Sequence, residues 1–90
     1  MKIIPDEIAL FKNGLTSLSI DYGEVEIISN KITEMKNLES IEIDFIPLKS
    51  IPFDLSDLKK LKKLSIKNTK FAIQNKRKFI VPENCEVIIE

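Results

Sequence analysis

Residues 38–66 read LESIEIDFIPLKSIPFDLSDLKKLKKLSI, and this stretch begins and ends with the same six-residue pattern. The pattern has apolar residues at its first, fourth and sixth places, in hexads that start at Leu38 and Leu61. An earlier hexad starts at Leu15, so the three starts are evenly spaced, with a period of 23. One more step reaches Asn84, whose hexad keeps its fourth and sixth places apolar. Because self-similarity at a fixed period is typical of repeat architectures, we predict a chain built from 23-residue units.

The apolar register extends beyond the hexads to positions 11, 14, 18 and 21 of the first two units. The residues at these positions are Val25, Ile28, Ile32 and Met35, then Leu48, Ile51, Leu55 and Leu58. With the hexad places included, chance agreement is on the order of one in 10⁵. In the third unit Gln74 and Lys78 occupy places where apolar residues belong, although a shift of one residue recruits Ile73 and Phe79. We therefore expect an irregular return segment there.

A half unit precedes the first hexad, because Ile4 to Phe11 aligns with Ile51 to Leu58 and shares the proline after the first isoleucine. The predicted organisation is a single domain of residues 1–90. Its parts are a half unit at 1–14, units that start at 15, 38 and 61, and a terminal strand at 84–90.

The hexads alternate apolar and polar residues, which is the period of a strand with one buried face. Strands that recur once per unit are too far apart along the chain for hairpins, so we expect parallel strands joined by long crossovers. The crossovers at 29–37 and 53–60 space their apolar residues three or four apart, which predicts helical or 3₁₀ turns that face inward. Pro52 suits the first turn of such a segment.

The pattern Leu-x-x-Leu-x-Ile, followed by Ile-Pro-x-x-Leu-x-x-Leu-x-x-Leu at 51–61, resembles the 23-residue type of leucine-rich repeat. The resemblance implies an α/β solenoid of about 3.5 repeats, with a curved parallel sheet backed by short helical or 3₁₀ segments. It also implies that the concave face of the sheet binds a protein partner. The family usually has asparagine at position 9, where this chain has Gly23, Ile46 and Thr69. We therefore expect apolar packing or water to hold that edge.

Composition argues against several other functions. Fourteen basic residues balance fourteen acidic ones, whereas dedicated nucleic-acid binders carry a basic excess. The chain has no histidine and a single cysteine, Cys85, so it lacks an imidazole base, a zinc-ligand cluster and an internal disulfide. No window approaches the roughly 20 apolar residues of a membrane span. We expect a cytoplasmic, non-enzymatic protein that uses no cofactor or metal and binds neither nucleic acid nor membrane.

Strand alternation directs the third, fifth and seventh places of each unit outward. Together with flanking positions, the candidate binding residues are Asp21, Tyr22, Glu39, Glu42, Asp44, Phe45, Lys63 and Lys67. Two interpretations stay open for the charged members. They bind a partner, or they form lateral ion pairs, Glu39 with Lys62 and Asp44 with Lys67.

The aromatic candidates, Tyr22 and Phe45, also have two interpretations: interface hot spots, or a cover for the edge that lacks its asparagines. Exposure beside Asp21 and Asp44 favours the first. The basic run at 76–78 is interpreted as a solvated loop, and Cys85 as an unreactive thiol.

The predicted function is a protein–protein interaction. The alternative is a self-associating structural module or a segment of a longer repeat array. The terminal strand, Glu86 to Glu90, is expected to be a sheet edge through which a homodimer would form.

Overall fold

The computed structural model describes residues 2–90 as an α/β fold in which all the strand pairs are parallel. The strands are β1 (Lys2–Ile4), β2 (Ser17–Asp21), β3 (Val25–Ile28), β4 (Ser40–Asp44), β5 (Lys63–Lys67) and β6 (Glu86–Ile89). The helical segments in this range are α1 (Lys70–Gln74) and 3₁₀ helices at Asp6–Phe11, Asn30–Glu34 and Lys76–Lys78. Met1, which belongs to the predicted half unit, lies outside the described residues.

The larger sheet has the strand order β2–β4–β5–β6, and its paired residues are 23 positions apart. Ile43 lies between Ile20 and Ile66, and Ile66 pairs in turn with Ile89. Ile43, Ile66 and Ile89 are buried, and Ile20 is half-buried. The prediction of parallel strands is confirmed by this pairing, and its constant register brings the four isoleucines to the same face of the sheet.

The structure also contains a smaller, two-stranded sheet, which was not predicted from the sequence. Strand β1 pairs with β3, and a parallel bridge joins Ile27 to Ser50. A further bridge joins Asp54 to Ile80. These short pairings satisfy backbone groups of the return segments that would otherwise be left without partners.

The two crossovers in which helical or 3₁₀ turns were predicted differ in structure. Residues 29–37 contain the 3₁₀ helix Asn30–Glu34, whose first turn is capped when the Ser29 hydroxyl accepts a hydrogen bond from the Lys31 amide at 3.0 Å. Residues 53–60 contain turns and no assigned helix. The Leu58 amide donates to the Leu55 carbonyl at 3.0 Å, which is the pattern of a 3₁₀ turn, and both leucines are buried, so the predicted inward-facing turn is present. There the Leu55 amide donates to the Ile80 carbonyl at 2.7 Å, and Asp54 accepts from Ser56 in a side-chain-stabilised turn.

The third return segment is irregular, as expected, and consists of α1 and the 3₁₀ helix Lys76–Lys78. Phe79 packs edge-on against Phe53 with ring centroids 5.1 Å apart. Ile73, however, is exposed, and Ala72 is the buried residue of α1. The expected one-residue shift therefore holds for Phe79 and fails for Ile73.

Burial is deepest in the middle of the larger sheet and falls toward both ends. The apolar side chains of β4 and β5 are buried. Leu18 and Ile20 on β2 are half-buried, and Val87 on β6 is 40% exposed. Leu10 and Phe11 are also exposed at the β2 end. The core is thus centred on two strands, with an open apolar end on either side.

The edge at position 9 is held by packing at its second and third places, as expected in the absence of asparagine, whereas Gly23 at the first place is exposed. Ile46 and Thr69 are 4% and 2% exposed. The Thr69 hydroxyl oxygen is buried and has no hydrogen-bond partner among the described residues. An unpaired buried hydroxyl destabilises a fold.

Replacing this hydroxyl by a methyl group should stabilise the protein. We expect Thr69→Val to raise the free energy of unfolding by about 1 kcal/mol, because it removes an unsatisfied polar atom at nearly constant volume. Urea denaturation measures the change. Thr69→Ser, which keeps the hydroxyl and removes the methyl, should destabilise instead, and a stabilising Ser variant would contradict this account.

The burial of the central isoleucine column generates a second expectation. Ile43→Asp should unfold the domain, at a cost of more than about 4 kcal/mol, because it buries an unpaired carboxylate. Glu42→Gln, the adjacent outward position, should change stability by less than about 1 kcal/mol. Circular dichroism during thermal melting compares the two, and a folded Ile43→Asp protein would reverse the inside and outside assignment.

Candidate functional site

The side chains that β2, β4, β5 and β6 direct away from the core form a surface that we call the open face. It contains a groove of about 190 Å³. Five of the eight candidate residues line this groove: Asp21, Glu42, Asp44, Lys63 and Lys67. Three strands therefore bring residues that are far apart in the sequence to one site.

The remaining three candidates lie outside the groove. Glu39 precedes β4 and lines a separate cavity at the beginning of the strands, together with Lys59 and Lys62. Tyr22 and Phe45 directly follow β2 and β4. The predicted set is thus divided between the groove, one end of the strands and the other.

The floor of the groove includes Ser65, which was expected to point outward into solvent. Its exposed fraction is only 6%. In the sheet it lies between Glu42 and Ile88, whose longer side chains stand on the neighbouring strands. A short side chain between two long ones is covered by them, so the outward prediction holds for direction and fails for exposure.

The ion pairs of the open face differ in part from the predicted ones. The predicted pair Glu39–Lys62 is present at 4.0 Å, with both side chains exposed. The other predicted pair is absent among the described ion pairs. Asp44 lies beside Lys67 in register, but its carboxylate accepts a hydrogen bond from the Asn68 amide at 2.8 Å.

An unpredicted diagonal pair joins Lys63 to Glu42 at 3.2 Å. Exposed pairs of this kind stabilise a fold by only about 0–1 kcal/mol, so the charges are not explained by stability alone. The Lys67 ammonium has no ion-pair partner within residues 2–90. The groove therefore presents carboxylates on β2 and β4 beside an uncompensated ammonium on β5.

The two aromatic residues form a stacked pair at the ends of β2 and β4. The ring centroids of Tyr22 and Phe45 are 4.9 Å apart and the rings are inclined by 16°. Tyr22 is 74% exposed and Phe45 is 47% exposed. Ile46 and Thr69, not the rings, are the buried residues at this edge. Exposure beside Asp21 and Asp44 is the observation that favours an interface over a cover.

The backbone of this pair adopts a conformation that bulky residues rarely take. The φ angles are 51° at Tyr22, 53° at Phe45 and 58° at Asn68, which occupies the equivalent position of the next unit. Asparagine tolerates this left-handed region, whereas it costs most other residues about 1–2 kcal/mol. Hydrogen bonds from the backbone amides of these three residues fix the conformation. Tyr22 donates to the Asp44 carbonyl at 3.0 Å, Phe45 to the Lys67 carbonyl at 3.2 Å, and Asn68 to the Glu90 carbonyl at 2.8 Å.

Sequence reasoning missed the shared backbone geometry of this column, which we call the left-handed column. The regular spacing from Tyr22 through Phe45 to Asn68 was visible, but two aromatic residues and an amide suggest no common role. Position 8 requires a residue in the left-handed region, and that requirement does not depend on an aromatic ring.

A second basic run, Lys59-Lys60-Leu61-Lys62-Lys63, was also missed. Lys60 donates to the side-chain oxygen of Asn37 at 3.1 Å. Lys62 and Lys63 contact Glu39 and Glu42. Three of the four lysines are thus engaged by the preceding segment of the chain, so the run is part of the sheet's lateral contacts.

Burial raises the pKa of the Cys85 thiol, and the Glu86 carboxylate adds to this increase. A higher pKa leaves less thiolate, the reactive form, at neutral pH. We expect Cys85 to react with a disulfide reagent at pH 7.5 at least about threefold more slowly than free cysteine, with a rate that rises as pH increases.

Absorbance of the released thiolate measures this rate. The urea-unfolded chain is the control and should react like free cysteine. Equal rates for the folded and unfolded chains would contradict the shift.

Within residues 2–90, no group of three or more cysteine and acidic side chains is placed to hold a metal ion. No helix in the same range has the length and apolar character needed to cross a bilayer. Comparisons of this chain with protein-family models, with curated proteins and with solved structures returned no match.

Proposed function

We propose that this chain is a short leucine-rich-repeat solenoid that binds a protein partner through the open face, which is its concave side. Parallel strands whose paired residues lie one repeat period apart support the solenoid. So does the burial of Ile28, Ile32, Leu55 and Leu58, which belong to the return segments of the repeated pattern. In such an architecture each unit covers the apolar flank of its neighbour.

The observation that carries the binding role is the charged groove across three adjacent strands. Asp21, Asp44 and Lys67 line it from β2, β4 and β5. Strand β4 is paired on both sides, so its side chains are held on a rigid support. Charges on a rigid support lose less conformational entropy when a partner binds than charges on a mobile loop do.

Binding rather than catalysis is the function that these residues support. The chain has no histidine, and the raised pKa of Cys85 disfavours a nucleophilic thiolate. The single cysteine is consistent with a reducing compartment such as the cytoplasm, which is part of the proposal.

The charges predict how a partner is oriented. Carboxylates dominate on β2 and β4, and lysines on β5. A complementary partner surface places a cationic group over β2 and β4 and an anionic group over β5. Such complementarity determines specificity and association rate more than affinity.

A second function, self-association or membership of a longer array, is favoured by the apolar ends. Val87 and Ile80 are exposed near β6, and Leu10 and Phe11 at the β2 end. A second copy, or further repeats, would cover these side chains. Analytical ultracentrifugation separates the two proposals: a monomer across the concentration range supports the binder, and a concentration-dependent dimer supports self-association.

The binding proposal is tested by reversing charge in the groove. We expect Lys63→Glu with Lys67→Glu to weaken the complex with a partner purified from the native source by at least about tenfold. Isothermal titration calorimetry measures the affinity.

The matched control reverses Lys12 and Lys36, which lie outside the groove. Both double variants should stay folded, but the groove variant should melt below the wild-type protein, because it loses the Lys63–Glu42 pair and places carboxylates side by side. Unchanged affinity in the groove variant, or an equal loss in the control, would contradict the proposed face.

A further inference from the structure

The left-handed column provides an internal comparison. Asn68 adopts the same backbone conformation as Tyr22 and Phe45. Its backbone amide donates a hydrogen bond to the Glu90 carbonyl, just as the backbone amides of the two aromatic residues donate to carbonyls one unit further along the chain. An asparagine therefore meets the structural requirement at this position. The rings at the first two places add strain without serving the backbone.

The rings do not serve the core either. Tyr22 and Phe45 contact each other and are 74% and 47% exposed, while Ile46 is buried at the same edge. Exposed, stacked rings held by a fixed backbone are a rigid apolar surface. Such surfaces anchor partner side chains at interfaces.

The charge beside Tyr22 is negative, whereas at the Phe45 end Lys67 lies next to Asp44 on the neighbouring strand. Asp21 and Asp44 directly precede the two aromatic residues and pair in register on β2 and β4. One oxygen of Asp44 is taken by the Asn68 amide, whereas Asp21 is exposed. The nearest lysine of the groove, Lys67, lies two strands from Asp21, which is roughly 10 Å at ordinary strand spacing.

An aromatic face next to a carboxylate fits one side chain best. A guanidinium stacks on an aromatic ring and at the same time donates two parallel hydrogen bonds to a carboxylate. An ammonium is a compact, strongly hydrated charge that cannot do both in one plane. Phosphate-bearing partners are disfavoured because Asp21 and Asp44 repel them.

We propose that the Tyr22–Phe45 stack, with Asp21, is a docking site for an arginine in an exposed segment of the protein partner. This inference rests on the proposed function, and it names the partner's chemistry at one end of the open face. Arginine lies over β2 and β4 at the strand ends, and the groove takes the neighbouring part of the partner.

The sequence offers a direct readout. The chain has one tyrosine and no tryptophan, so its tyrosine fluorescence reports Tyr22 alone. The probe is an end-blocked glycine–serine peptide that contains three arginines. Matched peptides carry lysine or the uncharged analogue citrulline at the same places.

We expect the arginine peptide to change the fluorescence of Tyr22 saturably. Its affinity should exceed that of the lysine peptide by about two- to fivefold, and the citrulline peptide should not bind measurably. Equal binding of the citrulline or lysine peptide, or no saturable change with arginine, would overturn the inference.

Variants test the site itself, with backbone amide shifts in nuclear magnetic resonance as the readout. Tyr22→Asn and Phe45→Asn retain the fold because Asn68 already adopts this geometry, and each should weaken the arginine peptide by about two- to fivefold. Asp21→Asn should also weaken it. Tyr22→Phe keeps the ring and should bind within about twofold of wild type. Wild-type affinity in both asparagine variants would refute the docking site.

The same variants separate this inference from the proposed function. Lys63→Glu with Lys67→Glu should leave arginine-peptide binding undiminished. If the native partner loses affinity with those groove changes and not with Tyr22→Asn, the arginine site is wrong and the binding face stands. If the native partner is insensitive to the groove changes while the arginine peptide still requires Tyr22, the binding face is wrong and the arginine site stands.

Discussion

Parallel backbone pairing between residues 23 positions apart is the constraint on which the rest of the structure depends. It brings Ile43 between Ile20 and Ile66, and strand alternation then directs the intervening residues to the opposite face. A slip of one residue would exchange the two faces and bury Glu42 and Asp44 in place of the isoleucines. The buried column therefore determines both the core and the composition of the open face.

Much of the larger sheet could be predicted because strand alternation and a fixed period are properties of the sequence. Strands β2, β4 and β5 each begin at the third place of a hexad, those that start at Leu15, Leu38 and Leu61, and extend one residue beyond it. The smaller sheet was missed because the apolar repeat places on β3, Val25 and Ile28, lie three residues apart instead of alternating as they do in a strand with one buried face. Residues 53–60 follow helical spacing yet form only short turns, because the Leu58 amide bonds the Leu55 carbonyl within the segment while the Leu55 amide bonds the Ile80 carbonyl of a neighbouring one.

The candidate site was predictable in direction but not in contacts. Which side chains face outward follows from alternation, whereas which partner each one selects depends on side-chain length and reach. The Asp44 carboxylate could contact either Lys67 or Asn68, and it accepts a hydrogen bond from the side-chain amide of Asn68. Ser65 faces outward yet is covered by its neighbours. The left-handed column was missed for a different reason: a backbone conformation was shared by residues with unlike side chains.

The decline of burial from the middle of the larger sheet toward its ends has a consequence for motion. Amide groups exchange their protons with water only when the local structure opens, and the free energy of opening follows the packing around them. Strands β4 and β5, whose apolar side chains are buried, should open only when the whole molecule does. The outer strands, with Leu18 half-buried and Val87 exposed, should open in smaller fluctuations. Tyr22 follows an outer strand, but its amide bonds to the carbonyl of Asp44 on β4, and this bond ties the aromatic stack to the firmly packed centre.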